Sequence, residues 1–165
     1  MPAAGRGGSA GIAFVWTIGT GTANPLSAQY VKLEALSEKN GNPWSAIAEF
    51  NLLDGSGALI SRAGWIVSAD SSETQAVDNS PIKAIDGNVN TYWHTQWSTA
   101  VDPPPPHWFV VNLGSVRTLS AFKYLPPPAV DSNGTIKDWR FYTSNDGVTW
   151  TLVTQGSFAT DASEK

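Results

Sequence analysis

Glycine and proline cut this chain into short lengths, and that punctuation limits its fold more than any other feature. Prolines cluster in "VDPPPP" (101–106) and "LPPPAVDSNG" (125–134), and "NGNPW" (40–44) and "LLDGSG" (52–57) read as further loops. Proline lacks the N–H that a ladder needs, so neither run can lie inside a sheet. Between the breaks the side chains alternate. "YVKLEAL" (30–36) sets Val31, Leu33 and Ala35 against Lys32 and Glu34, and "SAFKYL" (120–125) and "DWRFYTS" (138–144) alternate again. "HWFVVNL" (107–113) is the mostly apolar run of a buried strand. Asp146-Gly147 in "SNDGVTW" signals a hairpin, with "TLVTQG" (151–156) as the return strand. No long stretch carries a helical period. The expected fold is all-β, an antiparallel sandwich or barrel.

The 165 residues suit one domain with a real core, and 41% hydrophobic against 15% charged residues argues for a globular chain. A net charge of −4 without a basic stripe argues against nucleic acid as a partner. No apolar run approaches the ~20 residues of a membrane-spanning helix. The chain has no cysteine, which excludes disulfides and thiolate metal sites and is compatible with cytosol or bacterial secretion. Residues 1–23 read as a Gly-rich head, a linker or a weakly signal-like segment, and 24–165 as a single module. The eight tryptophans are unusual, since indoles fill cores but also form flat platforms for sugar rings.

The stretch "AIDGNVNTYWHTQW" (84–97) runs a tight polar turn straight into an aromatic cluster. Asp86, Asn88 and Thr91 are short oxygen donors, and Gly87 permits the bend. Calcium takes six to eight such oxygens, more than one loop supplies, so a distant carboxylate is needed. Glu49, flanked by Ala48 and Phe50, is the candidate, because a buried charge needs a partner. The alternative is an ordinary turn with side-chain caps. In the aromatic cluster, alternation turns Trp93 toward the core and His94 away from it. Trp65, Trp108, Trp139 and Trp150 lie in strand patterns and read as core.

Taken together, "AIDGNVNTYWHTQWS", "PPHWFVVNLGSVRTLSAFKYLP", "NGTIKDWRFYTSNDGVTW" and "AQYVKLEALSEKNGNPWSAIAEFNLL" resemble the discoidin, or coagulation factor V/VIII type C, domains. The resemblance is closest to the family-32 carbohydrate-binding modules and covers roughly residues 28–158. The block order departs from the family: residues 28–53 normally close the domain and here precede "GWIVSADSSE", which normally opens it. Either the domain is circularly permuted, with "LLDGSGALISRAGW" joining the old ends, or one module ends and a second, truncated one follows. A single copy of each block favours permutation, which is cheap when termini lie close together. "GIAFVWTI" is a candidate for the strand missing after "GSFATDASEK".

The resemblance implies a jelly-roll-like sandwich of about eight strands and a structural Ca2+. The metal would be held by the side chains of Asp86, Asn88, Thr91 and Glu49 and the carbonyls of Lys83 and Ala48. It places sugar contacts on Glu73, His94, Trp97 and Trp44, with Glu73 and His94 bonding hydroxyls and Trp97 or Trp44 stacking on the ring. Galactose binders of the family often carry an Arg where this chain has Pro127; Asn133, Lys137 and Arg140 are the possible substitutes. No nucleophile–base set, zinc signature or phosphate loop is visible, and of the two histidines His107 resembles the family's structural one. The implied protein is a non-catalytic carbohydrate-binding module with an oligo- or polysaccharide as ligand. A catalytic domain would be tethered in the same secreted, extracellular chain. The alternatives are a discoidin-type adhesion domain for phospholipid or protein surfaces, and a ligand-free structural spacer.

Overall fold

The computed structural model describes residues 26–99, 101–128 and 133–165, and the backbone of Phe14–Val15. The rest of the expected Gly-rich head lies outside the described residues. Nine strands form among the described residues: β1 (Phe14–Val15), β2 (Leu26–Ala35), β3 (Ala46–Ile47), β4 (Glu49–Asp54), β5 (Ile66–Ala69), β6 (Trp93–His94), β7 (His107–Leu125), β8 (Asp138–Ser144) and β9 (Thr151–Ser157). A single turn of 3-10 helix spans Pro81–Ala84.

The long strand β7 organises the molecule. Its first half pairs antiparallel with β2 on one side, Leu33 opposite Phe109, and with β5 on the other, Ala69 opposite Phe109. From Gly114 to Thr118 the strand is exposed, and Gly114 adopts a positive φ of 78°, a conformation open to glycine. Beyond this corner the second half pairs with β4, Phe50 opposite Tyr124, and with β1, Phe14 opposite Phe122. The two segments that read as separate strands are therefore one strand serving two layers. One layer runs β5–β7–β2–β8–β9 and the other β4–β7–β1. All of these pairings are antiparallel, and the architecture is a β-sandwich. Residues 26–54 share these sheets with residues 66–157.

The pattern of alternation explains the core. Phe50 and Phe122 project from the second layer, and Phe109, Trp139 and Phe141 from the first. Phe122 stacks on Phe141 at 4.7 Å between centroids and meets Trp139 edge-on at 5.1 Å, while Phe50 meets Phe109 at 5.7 Å. Each such ring removed from water contributes about 1.5–3 kcal/mol. Trp65, Trp93 and Trp139 are buried as expected. Trp108 and Trp150 are only half-buried. Trp150 and Tyr142 flank the Lys32 ammonium, at 4.7 and 4.4 Å, in a cation–π contact. Leu52–Asp54, expected in a loop, instead complete β4: Leu52 is fully buried opposite Phe122, and the turn begins only where the Asp54 carboxylate accepts the N–H groups of Ser56 and Ala58.

Candidate ligand-binding cleft

Three distant segments meet because two-residue strands β3 and β6 pair, Ala46 opposite His94 and Ile47 opposite Trp93. Ala46 also bridges Thr135, and its N–H donates to the Gly134 carbonyl at 2.8 Å. Gly134 has φ of +82°, and a Cβ there would lie 2.9 Å from the Ala46 Cβ, so only glycine lets the two backbones come this close. Around this junction lies a cleft of about 280 Å³, lined by Trp44, Val77, Asn79, Tyr92, His94, Trp97 and Asn133.

Period-two geometry sends Trp93 inward, its Nε1–H donating to the Ser71 carbonyl at 2.9 Å, and leaves His94 for the cleft. The His94 ring lies 6.3 Å from Trp44 and 6.2 Å from Tyr92 between centroids. His94 Nδ1 is 2.6 Å from the Thr95 carbonyl, an acceptor, so Nδ1 carries the proton. Burial pushes the imidazole below its ordinary value, so the ring is neutral near pH 7 and Nε2 is an acceptor. Trp97 is 42% exposed. Trp44 is held at its following residue, where Ser45 N–H donates to Thr95 Oγ1 at 3.0 Å and Thr95 N–H to the Ser45 carbonyl at 2.9 Å.

Glu73 departs from the expected hydroxyl contact. It is fully buried and outside the cleft lining. One carboxylate oxygen accepts the N–H groups of Gln75 and Ala76, and the other those of Trp97 and Ser98, at 2.8–3.2 Å. The donors, Ala76 foremost, hold its pKa down to about 2. With both oxygens engaged by amides, Glu73 fastens the Trp97 loop and its own loop beneath the cleft. Its own N–H donates to the His94 carbonyl at 2.9 Å.

Of the possible substitutes for the missing Arg, Asn133 lines the cleft. Lys137 is exposed and outside the lining, and Arg140 pairs with Glu34 and Gln155 on the sheet surface. Pro127 is buried and lies outside the lining. Val77, Asn79 and Tyr92 complete the cleft. Of the three, Tyr92 stands in the aromatic cluster of residues 84–97, whereas Val77, 48% exposed, and Asn79 carried no signal in the sequence.

The polar turn folds on itself and against β4. Asp86 Oδ1 accepts the Asn88 N–H at 2.9 Å, Thr91 Oγ1 lies 2.8 Å from Asp86 Oδ2, and Gly87 takes φ of +83°. Glu49 is buried; Arg62 donates to its Oε2, and its Oε1 has no hydrogen-bond partner among the described residues. Burial raises the Glu49 pKa, with the Asp86 charge adding to the rise, while Arg62 and the Gly87 N–H oppose it. The structure thus sets Glu49 beside the Asp86 turn. Lys83 lies on the 3-10 helix and Ala48 between β3 and β4, on the segments that flank the turn. No group of three or more His, Cys, Asp or Glu converges among the described residues. A site built here would rest on two carboxylates plus amide, hydroxyl and carbonyl oxygens.

An antiparallel sandwich that carries an aromatic-lined cleft places the chain among β-sandwich domains. The chain belongs to the F5/8 type C domain family, which matches residues 67–165. It is also similar to two galactose oxidases of Gibberella zeae, each 36% identical over 110 residues. A sialidase of Micromonospora viridifaciens is 38% identical over 96 residues. These alignments cover 66% and 58% of this chain, but only 16% and 15% of the respective relatives, so the chain spans about a sixth of their length.

Proposed function

We propose that the protein is a non-catalytic carbohydrate-binding module whose cleft holds a neutral pyranose. The observation that carries this reading is the lining itself. It presents three aromatic side chains, a neutral imidazole acceptor and two carboxamides, with no charged side chain among the described residues. Aromatic faces cover the C–H face of a pyranose, and a few fixed polar groups read its hydroxyls. The absence of a cation from the lining favours neutral over acidic glycans, since a carboxylate would enter without a partner. With Pro127 where many family members have Arg, the Asn133 amide is the polar group offered from that side. The cleft is shallow enough that one site binds in the ~0.01–1 mM range.

The polar turn fits a structural calcium. A buried, unpartnered carboxylate oxygen on Glu49 beside the Asp86 carboxylate leaves negative charge that a hard cation would neutralise. Asp86, Asn88, Thr91 and Glu49, with the carbonyls of Lys83 and Ala48, would hold it. Its contribution would be to tie β4 to the turn and stabilise the fold. The module would serve a larger secreted polysaccharide-active enzyme, holding it at its substrate and raising the local substrate concentration. Two of the enzymes with which it shares sequence are named galactose oxidase and sialidase.

The test is retention on neutral and uronate polysaccharide gels. Trp44→Ala and Trp97→Ala should each abolish retention on the neutral gel while circular dichroism stays unchanged. Full retention by both variants would refute the cleft, and preferential retention on uronate would refute the neutral ligand. Chelation, or Asp86→Ala, should lower the melting temperature while leaving ligand preference intact; an unaltered melting temperature would remove the metal.

A further inference from the structure

His107 is fully buried at the start of β7, behind the cleft and outside its lining. Its Nδ1 lies 2.7 Å from Asp70 Oδ2, just beyond β5, and its Nε2 lies 2.7 Å from the Pro43 carbonyl. The second contact is the telling one. A carbonyl oxygen only accepts, so the Pro43 contact requires a proton on Nε2. Asp70 already accepts the Trp108 N–H through Oδ1 at 2.8 Å, and its Oδ2 accepts from Nδ1. Both ring nitrogens therefore donate, which makes the side chain an imidazolium.

Pro43 immediately precedes Trp44. The Trp44 backbone is thus fixed from both sides, through Ser45 to Thr95 and through Pro43 to His107. We propose that His107 is a positioning residue: its doubly protonated ring latches the Trp44 loop into the cleft, and loss of one proton releases it. The proposal rests on the glycan reading only for its consequence in binding.

The groups that face His107 account for the direction of the switch. Asp70 is the charged partner, the carbonyls of Pro43 and Pro103 are further acceptors, and His94 is the nearby cationic group when protonated. Burial opposes the charge, but Asp70 and the carbonyls outweigh it and raise the pKa above the ordinary 6.5. The sign follows. The raised value makes the latch fully present below the unfolded pKa and lost as pH climbs through the folded one. The proton that remains stays on Nδ1, facing the carboxylate, because the charged acceptor is the stronger. Nε2 then turns a lone pair toward the Pro43 carbonyl, and the contact becomes repulsive. The loop carrying Trp44 shifts outward, and the cleft loses one aromatic wall.

The experiment follows the imidazole and indole nitrogens of the intact chain by 15N NMR from pH 5 to pH 9.5, with retention on a neutral polysaccharide gel measured in parallel. The expected result is a His107 ring protonated on both nitrogens at neutral pH. Its titration should be mirrored at the same midpoint by the Trp44 indole resonance. Retention should weaken by about tenfold across that midpoint, the scale of one charge-assisted hydrogen bond. In His107→Gln the Trp44 resonance should lose the step at the His107 midpoint, and any response to His94, 6.3 Å away, should remain. A His107 ring carrying one proton at neutral pH, or a Trp44 resonance indifferent to its titration, would overturn the latch, and both are read from the unaltered chain. Absence of retention at every pH would instead count against the glycan reading while the resonances still decide the latch.

Discussion

A single carboxylate, Glu73, sets much of the loop end of the sandwich. It has four backbone amides as donors and no exposure. Its folded pKa, about 2, lies below the ordinary 4.5. Its contribution to stability is therefore complete above the unfolded value and is lost as pH falls from 4.5 toward 2. Glu73→Gln turns an NH2 toward amide donors, so it should lower the melting temperature at neutral pH. It should also flatten the acid limb of the melting curve over that window. An acid limb identical to that of the parent would show that Glu73 does not carry it. The residue was legible in the sequence as a member of the site, but its duty was not. Four main-chain N–H groups leave no trace in residue identity, so a buried anchor and a ligand contact look alike on paper. Trp44, His94 and Trp97 were more legible, because an indole in a Gly/Pro loop and an imidazole out of phase with a core Trp93 have few other places to go.

The smallest elements do the assembling. β3 and β6 contain two residues each, too short for any periodicity to reveal, yet they join residues 44–47 to 93–97. The long elements behaved differently. β8 is read correctly over 138–144 from alternation alone, whereas β7 had to be found as two strands, since its corner at Gly114–Thr118 interrupts the apolar pattern. Gly134 marks where the third segment docks. Gly134→Ala forces a Cβ to 2.9 Å from that of Ala46 at φ of +82° and should cost about 2 kcal/mol. Because Asn133 adjoins it, ligand retention should fall as well. Chemical denaturation checks the first effect and gel retention the second. A change in retention without a change in stability would separate Asn133 from the backbone that carries it.

At the scale of the whole molecule, the order of the blocks departs from the order of the family match. The family match begins at residue 67, while β2 and β4, earlier in the chain, pair inside the same sandwich. Tyr124 exchanges both backbone hydrogen bonds with Lys165, at 2.8 and 2.9 Å, and Phe122, two residues away, pairs with Phe14. Both partners lie along the edge of β7 that β4 leaves free. We propose that the block order is a circular permutation, in which Phe14–Val15 and Lys165 would continue one strand line. A chain rearranged to begin at Ala58, with residues 14–54 following Lys165, should fold and keep its ligand. Failure of that chain to reach a cooperative transition would favour the truncated tandem. The sequence offered "GIAFVWTI" as the candidate for the missing strand, and its Phe14–Val15 does pair with β7, although two residues carry too little pattern to fix the register.

The seam has a mechanical side. Tension entering at Phe14 and leaving at Lys165 would cross only a short border of β7, so the load would peel β1 away before reaching the opposite layer or the loops that hold Trp44 and Trp97. A pull applied between these two points would part this border first and leave the loops around the cleft unloaded.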